Sequence, residues 1–474
     1  MKMTIAAATA RRLGRNNSDR RGAGPDQAGL PPERASLLQR LAILLIALCA
    51  TGCAHMPPPA PARCDLVGYP IVVGAGENNL VARTGGAPNL SDVLPGLIRS
   101  GVAPLVAGEH DKVLVISGGS LHGAFGAGFF RGLPSVPQYK VVTAVSTGAM
   151  QSTFVFLANR KPEKTKVYPA YMHADPYLGK AGDGYLSDLA LAYAINREGD
   201  LLKVNRLGYL GAALDGSIAT FQPLRTSMKS LITEETIRQV ASESNDRHRS
   251  LLVGVTDLDN GVGYALDLTK LAVAAGTSID FKSARDCFVE AVLASSSVPP
   301  GVPPVTLTVN GKPQLFMDGG AKFGVFYQQV RDAVDATPSV DMDLVVNGKL
   351  FEGDWLEKGK PVKKWSLINF GLRAVDAMET EVYRFSVNDV ARWGAKNGTF
   401  RVALISNAGL NELRDEPDQY PSRLDGKSCQ LHHDEDAKAK PQEFYPSYMR
   451  CLIDYGQRRG ETDPWNPPSA LIHQ

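Results

Sequence analysis

The stretch "YKVVTAVSTGAM" (residues 139–150) changes character at one serine. As far as Val145 it is apolar and β-branched, a pattern typical of a strand covered on both faces. From Thr147 onward, small and apolar residues predict a helix that runs to Ala158. The stretch therefore predicts a strand that bends sharply into a helix, with Ser146 at the bend.

Small residues surround this serine, because Ala144 and Gly148 stand two positions before and after it. A nucleophile elbow needs such neighbours, since its turn brings backbone against backbone while it lifts the serine hydroxyl clear of the sheet. The usual motif is G-x-S-x-G, and here alanine takes its first position. Ser146 is thus a candidate nucleophile, and the simpler interpretation is a small residue that ends a strand.

More strand–helix units follow the same pattern. The run "KVLVIS" (112–117) precedes a glycine-rich turn and an apolar helix, and two such units in succession predict a parallel sheet between helices. We therefore predict an α/β fold, a three-layer α/β/α arrangement with a central, largely parallel sheet. Further strands are predicted at 251–258, 313–320, 343–348, 364–371 and 399–406, and helices at Leu90–Arg99, after an N-terminal cap at Thr233, and at Val375–Ala395.

Composition limits the classes of function. The 474 residues are 44% hydrophobic and 21% charged, as in a globular protein. The net charge of +2, without a basic stripe or a nucleic-acid-binding motif, argues against a nucleic-acid partner.

The N-terminal region predicts export. The apolar run Leu41–Ala50 is too short to span a bilayer and has the length of a signal-peptide core. It leads into "ATGC", which resembles a bacterial lipobox and implies diacylation of Cys53, with a plain secretory signal as the alternative. Ala54, in place of aspartate, implies a lipid-anchored protein of the bacterial cell envelope at the outer membrane.

Four segments are predicted along the chain. Residues 1–53 form an N-terminal extension with the lipoprotein signal peptide, and 54–64 form a proline-rich linker. Residues 65–410 form the α/β domain, with its core motifs in 112–326. Residues 411–474 are predicted as an irregular C-terminal extension.

Four cysteines remain beyond the signal region. An even number in an exported chain permits disulfides. Cys429 and Cys451 are the predicted pair, because the polar, proline-containing segment between them is otherwise hard to hold in place. For Cys64 and Cys287 a disulfide and two buried thiols remain equally open.

Two further motifs carry chemistry. The glycine-rich turn "SGGSLHGAFGAG" (117–128) exposes backbone N–H groups at the start of a helix, where they can hold a phosphate or an oxyanion. The stretch "FMDGGAKFG" (316–324) places Asp318 at a strand end, where it is a candidate general base. Tight packing for the first and an ordinary turn for the second are the simpler interpretations.

Taken together, the motifs resemble the patatin-like phospholipases. That family carries G-G-G-x-R-G, G-x-S-x-G, a proline block near A-S-S-A-x-P-G-x-F-P-P-V, and D-G-G or D-G-A. The chain has "GGSLHG" (118–123), "AVSTG" (144–148), "ASSSVPPGVPPV" (294–305) and "DGG" (318–320) in that order.

The resemblance implies a serine acyl hydrolase that cleaves ester bonds of membrane lipids through a Ser146–Asp318 dyad, without a cofactor or metal. It implies an oxyanion hole made by the backbone N–H groups of Gly118, Gly119 and Ser120. Its partners would be a phospholipid or another acyl-ester lipid, with the membrane reached through the lipid anchor.

Several positions depart from the family pattern. Ser120 replaces the third glycine of the loop, and its side chain would either narrow the hole or donate its own hydroxyl. His122 stands in the place of Arg or Lys, just before Gly123, and Ala144 replaces the first elbow glycine. These departures keep open a weakly active or inactive patatin scaffold that binds lipid in the envelope.

Two alternatives concern His432 and His433. With the acidic residues that follow them they could bind a metal, although adjacent residues rarely reach one ion and a solvated loop is the simpler interpretation. They also leave conceivable a Ser–Asp–His esterase triad. Asp257, at the end of another strand, could rival Asp318 as the base, and holding a turn beside the site is its simpler interpretation.

Overall fold

The structure is a computed structural model that describes only part of the chain. It covers residues 64–71, 86–100, 110–335 (apart from 165, 173–177, 206–216 and 300), 337, 340–348, parts of 374–393, 400–405, and 420–466 (apart from 442 and 463). All of these belong to a compact unit that spans Met56–Gln474. The predicted acylation site Cys53, the signal segment before it and the predicted strand at 364–371 lie outside the described residues.

The strands confirm the predicted sheet and add to it. They are β1 (Asp65–Leu66), β2 (Gly68–Ile71), β3 (Asp111–Ile116), β4 (Val141–Val145), β5 (Lys203–Val204), β6 (Ala219–Thr220), β7 (Ser250–Asp257), β8 (Gly263–Asp267), β9 (Val305–Val309), β10 (Lys312–Asp318), β11 (Val340–Val346) and β12 (Phe400–Leu404).

One mixed sheet organises these strands, in the order β1-β9-β10-β7-β4-β3-β11-β12, with β8 and then β2 branching from β7. Its central strands β7, β4, β3, β11 and β12 run parallel to one another. On the other side of β7, strands β10 and β8 are antiparallel to it. The centre of the sheet is thus parallel, as predicted, and its antiparallel extension carries Asp318.

The helices are α1 (Leu90–Arg99), α2 (Gly123–Gly132), α3 (Thr147–Phe156), α4 (Tyr185–Tyr193), α5 (Gln222–Leu231), α6 (Glu234–Arg247), α7 (Leu268–Ala274), α8 (Phe281–Ala294), α9 (Tyr327–Asp335), α10 (Cys429–Ala437) and α11 (Pro446–Thr462). Residues 380–389 are helical as well. Helix α1 has the predicted bounds, and Thr233 caps α6 as predicted, since its hydroxyl accepts from the amide of Thr236. Among the described residues, none of the helices is both long enough and apolar enough to cross a bilayer.

The three layers are evident from the side chains of β3, which point alternately to the two faces of the sheet. Leu114 and Ile116 point into a core shared with helices α2, α3, α6, α8 and α11. Val113 and Val115 point to the opposite face, into a second core with α1 and α9. Since successive side chains of a strand face opposite ways, both faces of the sheet are covered by helices. The three-layer α/β/α prediction is confirmed.

Some short strands were not predicted. The sequence favours loops over residues 65–71, where the structure has β1 and β2, and it does not single out β8 or β9. These strands are two to five residues long, and β2 contains Gly68 and Pro70. Such short runs carry little periodicity, and β1 and β2 pair with strands far along the sequence, for example Asp65 with Thr308 and Gly68 with Leu266.

The prediction of an irregular C-terminal extension is wrong for the described part. Helix α11 packs against α2 along glycines of both helices, Gly128 and Gly132 on α2 and Gly456 and Gly460 on α11. A Cβ atom at any of the four would collide with backbone of the facing helix. The missing side chains therefore let the two backbones touch, which a charged sequence with isolated glycines does not reveal.

Two disulfides tie the described chain together. One joins Cys429 at the start of α10 to Cys451 in α11, and the other joins Cys64, ahead of β1, to Cys287 in α8. The second bridge closes a separation of 223 residues along the sequence. The question that the sequence left open for Cys64 and Cys287 is thus answered by a disulfide.

Candidate active site

Ser146 stands at a strained bend between β4 and α3. Its backbone has φ 55° and ψ −127°, a left-handed region that residues with a Cβ avoid. The residue as a whole is 6% exposed, and its carbonyl accepts the first bond of α3 from the Ala149 amide over 2.9 Å. This is the strand-to-helix geometry of a nucleophile elbow.

The neighbours of Ser146 explain why the bend needs small residues. A Cβ at Gly148 would lie 2.6 Å from the carbonyl oxygen of Ser117 and 2.8 Å from that of Ile116, so only glycine fits. Ala144 lies within the sheet, fully buried, with Ile116 and Val253 as its partners in the two adjacent strands. An alanine methyl is accommodated at that position without displacing either strand.

The glycine-rich loop lies directly beside the serine. A Cβ at Gly118 would approach the Cβ of Ser146 to 2.9 Å. Gly119 has φ 142° and Ser120 has φ 48°, so the loop turns through two unusual backbone conformations before α2. Within the described part of the chain, the amides of Gly118, Gly119 and Ser120 donate to no acceptor. Free amide donors next to a serine hydroxyl are what an oxyanion hole requires.

A buried amide network holds this loop in place, and sequence reasoning missed it. Asn347, just after β11, is fully buried. Its backbone N–H donates to the Ser117 hydroxyl and its side-chain Nδ2 donates to the Ser117 carbonyl, each over 2.9 Å. The Ser117 hydroxyl in turn donates to the Gly118 carbonyl over 2.7 Å. Gln151 of α3 donates to the Gly123 carbonyl over 2.7 Å. The loop, the elbow helix and the end of β11 are thus one hydrogen-bonded unit.

Asp318 reaches the same edge of the sheet from a distant part of the sequence. It ends β10 and pairs with Val255 of β7, while Val145, just before Ser146, pairs with Gly254 on the other side of β7. The two candidate catalytic residues therefore flank β7 at the same level. A Cβ at Gly319 would lie 3.0 Å from Val145 Cγ1, which shows how closely the two turns approach.

Asp318 is 2% exposed, and its Oδ1 accepts from the amide of Gly320 over 2.6 Å. This bond fixes the carboxylate at the start of the short 3-10 turn Gly319–Ala321. A carboxylate held in this way has a defined direction, which a general base needs.

The serines of the proline block connect the elbow to Asp318. The amide of Ser146 donates to the Ser295 hydroxyl over 2.9 Å, and that hydroxyl donates to the carbonyl of Gly254 over 2.6 Å. The amide of Asp318 donates to the carbonyl of Ser297 over 2.8 Å. The block "ASSS" (294–297) thus braces both candidate catalytic residues, a role that its position at a helix end does not reveal.

The departures from the family motif have distinct surroundings. The Ser120 hydroxyl donates to the carboxylate of Glu443, which precedes α11. His122 Nδ1 lies 3.2 Å from the carbonyl oxygen of Gly119, and its ring meets that of Tyr448 edge-on, with 6.0 Å between centroids. Both side chains therefore link the loop to the C-terminal helices.

His432 and His433, the candidates for a triad or a metal site, lie away from Ser146 in the fold. His432 Nε2 pairs with Asp425 over 3.2 Å, and His433 stacks on Tyr445 with 4.5 Å between ring centroids. In the described ranges no contact joins either imidazole to Ser146, and no group of three or more His, Cys, Asp or Glu side chains is placed to hold a metal ion. The triad and metal interpretations therefore find no support in these residues.

Asp257, considered beside Asp318, holds a turn. It accepts from the amide of Asp259 over 2.9 Å and from the side chain of Asn260 over 2.8 Å. Burial raises the pKa of its carboxyl group, against the effect of these hydrogen bonds. Its oxygens are directed to the β7–β8 turn.

Comparison with known proteins points to one family. No curated protein sequence matches the chain significantly. Among solved structures, VipD from Legionella pneumophila is similar with a TM-score of 0.23 and 12% identity, over 74% of this chain and 68% of that one, too weakly to support an inference. The family model of patatin-like phospholipases matches residues 114–334, which include the loop, the elbow, the proline block and Asp318. This chain therefore contains a domain of the patatin-like phospholipase family.

Proposed function

We propose that the protein is a serine acyl hydrolase of the phospholipase A type, which cleaves ester bonds of membrane lipids with Ser146 as nucleophile and Asp318 as general base. The observation that carries the proposal is the backbone of Ser146, φ 55° and ψ −127° at the carboxyl end of β4. A serine held in this strained bend, beside unoccupied amide donors, is poorly explained by packing alone.

In the first half of the reaction, the Ser146 oxygen attacks the ester carbonyl carbon while its proton passes to the Asp318 carboxylate. The negative charge moves onto the carbonyl oxygen, where the amides of Gly118, Gly119 and Ser120 stabilise it. Each such donor contributes about 3 kcal/mol in comparable sites. Collapse of the intermediate breaks the ester C–O bond, and the alcohol leaves with the proton from Asp318.

In the second half, water attacks the acyl-serine and gives up its proton to Asp318. The amide donors stabilise the second tetrahedral intermediate in the same way. Its collapse releases the free acid and returns the proton to the Ser146 oxygen. The cycle needs neither a metal nor an organic cofactor, because both proton transfers use one carboxylate.

A second candidate function is a catalytically weak scaffold that binds lipid in the envelope. It is favoured by the contact of the Glu443 carboxylate with Ser120, because negative charge beside the third amide opposes the developing oxyanion.

A fluorophosphonate probe separates the two candidates. We expect the wild-type protein to be labelled on Ser146, to release fatty acid from phospholipid vesicles, and to lose both properties in Ser146→Ala. The matched control is Ser152→Ala, a buried serine on the same helix whose hydroxyl donates to the Ala149 carbonyl over 2.8 Å. Asp318→Asn should slow both reactions. A folded wild-type protein that neither labels nor hydrolyses any lipid would favour the binding scaffold.

We also propose that the protein acts from a lipid anchor at Cys53 in the cell envelope, at the outer membrane. The support is the sequence "ATGC" (50–53) after a signal-peptide core. Mass spectrometry of the mature N-terminus tests it, with diacylation of Cys53 as the expected result and its loss in Cys53→Ala. A mature chain that begins elsewhere without acyl groups would contradict the anchor.

A further inference from the structure

A tyrosine far along the sequence lies near the candidate nucleophile. Tyr383 lies in the helical residues 380–389 and is 4% exposed. A Cβ at Gly118 would collide with its phenolic oxygen, and it would lie 2.9 Å from Tyr383 Cζ and 2.9 Å from the Cβ of Ser146. The phenolic oxygen and the serine side chain therefore border the same small space beside the loop.

Three glycines form the cradle in which this ring lies. Besides Gly118, a Cβ at Gly324 would lie 2.8 Å from Tyr383 Cα and 3.0 Å from Cε1, and one at Gly348 would lie 3.6 Å from Cδ2. These glycines follow three different strands, β3, β10 and β11, at the edge of the sheet that carries Ser146 and Asp318. Because these glycines have no side chains, the phenol ring can extend from the helical residues 380–389 toward the serine.

In this position the Tyr383 hydroxyl can act as a hydrogen-bond donor in a buried site. A phenol keeps its proton at neutral pH and donates one O–H bond. Such a donor, aimed at the place where negative charge develops, lowers the barrier without any reorganisation at the moment of reaction.

We propose that Tyr383 is a further catalytic residue, whose phenolic O–H donates a hydrogen bond to the ester carbonyl oxygen as that oxygen becomes negatively charged. The proton stays on the phenol throughout, so no additional transfer enters the reaction. This inference rests on the proposed acyl hydrolase function. It adds a side-chain donor to the backbone donors of the glycine-rich loop.

Tyr383→Phe tests the inference, because it keeps the ring in its cradle and removes only the hydroxyl. We expect kcat on phospholipid vesicles to fall by about 10²–10³-fold with little change in KM, the effect of removing one such donor. Labelling of Ser146 by the fluorophosphonate should become slower but still reach completion. The control is Tyr171→Phe, whose hydroxyl bonds the Ala192 carbonyl and should leave both rates unchanged.

A second variant tests the inference even if Tyr383→Phe impairs folding. Gly324→Ala should push the ring out of its cradle and lower kcat as well. In the double variant with Tyr383→Phe, kcat should equal that of the poorer single variant, since both changes remove the same hydrogen bond.

An unchanged kcat in Tyr383→Phe would overturn the inference, and so would a faster enzyme, which would mean that the phenol obstructs the substrate. Either result leaves the hydrolase function intact, because wild-type protein would still label on Ser146. Absence of labelling in the wild type would instead reject the proposed function itself.

Discussion

The amide of Ser146 donates to the hydroxyl of Ser295 over 2.9 Å, although 149 residues separate them. The Ser295 hydroxyl in turn donates a hydrogen bond to the Gly254 carbonyl of β7 over 2.6 Å. A buried amide in an unusual backbone conformation thus has a partner that is itself anchored to the sheet. We conclude that the proline block holds the elbow in its strained conformation.

Ser295→Ala should therefore weaken the elbow. Removal of the hydroxyl leaves the Ser146 amide and the Gly254 carbonyl without this partner, which lowers the free energy of unfolding by about 1–3 kcal/mol. We also expect slower fluorophosphonate labelling of Ser146. Ser296→Ala is the control, because that hydroxyl bonds the Val292 carbonyl of its own helix at 3.4 Å. Equal labelling rates in the two variants would contradict the bracing role.

Gly148→Ala should damage both stability and activity. The new methyl group would meet two backbone oxygens of the Ile116–Ser117 segment at 2.6–2.8 Å, and backbone cannot move aside cheaply. We expect a loss of about 1–3 kcal/mol in the free energy of unfolding, with loss of probe labelling. Gly184→Ala is the matched control, since nothing lies within 4 Å of its added Cβ. A folded, fully labelled Gly148→Ala protein would show that the bend tolerates a larger residue.

Glu243 links stability to pH. Its carboxylate lies 2.8 Å from Arg249 Nη1 and 2.6 Å from Arg160 Nε. Burial raises the pKa of Glu243, but the hydrogen bonds and charges of the two arginines outweigh burial and hold that pKa below its ordinary value of 4.5. A lowered pKa means that Glu243 contributes stability above pH 4.5, and that this contribution is lost as the pH falls through the folded-state pKa.

Denaturant unfolding of Glu243→Gln across pH 7 to 3 checks this prediction. At pH 7 the variant should be less stable by about 3–5 kcal/mol, because Arg249 is left buried without its partner. The difference from wild type should shrink as the pH falls below 4.5, where the wild-type carboxylate becomes protonated. Glu234→Gln, on the exposed start of the same helix, should show little effect at any pH. A difference that stays constant with pH would rule out the charge as its cause.

The two disulfides should differ in what they contribute. In the chain-entropy description, the Cys429–Cys451 bridge contributes about 3 kcal/mol and the much longer Cys64–Cys287 loop about 5 kcal/mol. Double Cys→Ser variants at each pair, unfolded in denaturant, measure these values. Peptide mapping without reductant should recover Cys64 with Cys287 and Cys429 with Cys451. Free thiols at any of the four positions in protein purified without reductant would contradict the pairing.

Loss of the Cys429–Cys451 bridge should also affect the candidate active site. Helix α11 packs backbone to backbone on α2, and Glu443 between α10 and α11 contacts Ser120 of the loop. We expect the Cys429→Ser/Cys451→Ser protein to label more slowly with the fluorophosphonate than the Cys64→Ser/Cys287→Ser protein at equal fraction folded. The reverse order would place the coupling at the other bridge.

Local residue patterns were sufficient to predict the central strands, the helices that cover them and the positions of the motifs. Long apolar runs such as 251–258 and 139–145 are specified by local residue type, because a strand buried on both faces tolerates little else. The bend at Ser146 was predicted as well, because small residues stand two positions before and after a serine that follows such a run. The same local rules failed for β1 and β2, whose partners lie far away in the sequence.

The three-dimensional fold was needed to show which residues meet at the carboxyl end of β4. The antiparallel β10 carries Asp318 to the level of Ser146, Ser295 braces the elbow, Asn347 locks the loop, and Tyr383 enters from the helical layer through a cradle of glycines. Each of these contacts joins residues that belong to different elements of the fold. Sequence patterns report the local environment of each residue, whereas strand order and register, set by burial over the whole core, decide which environments coincide.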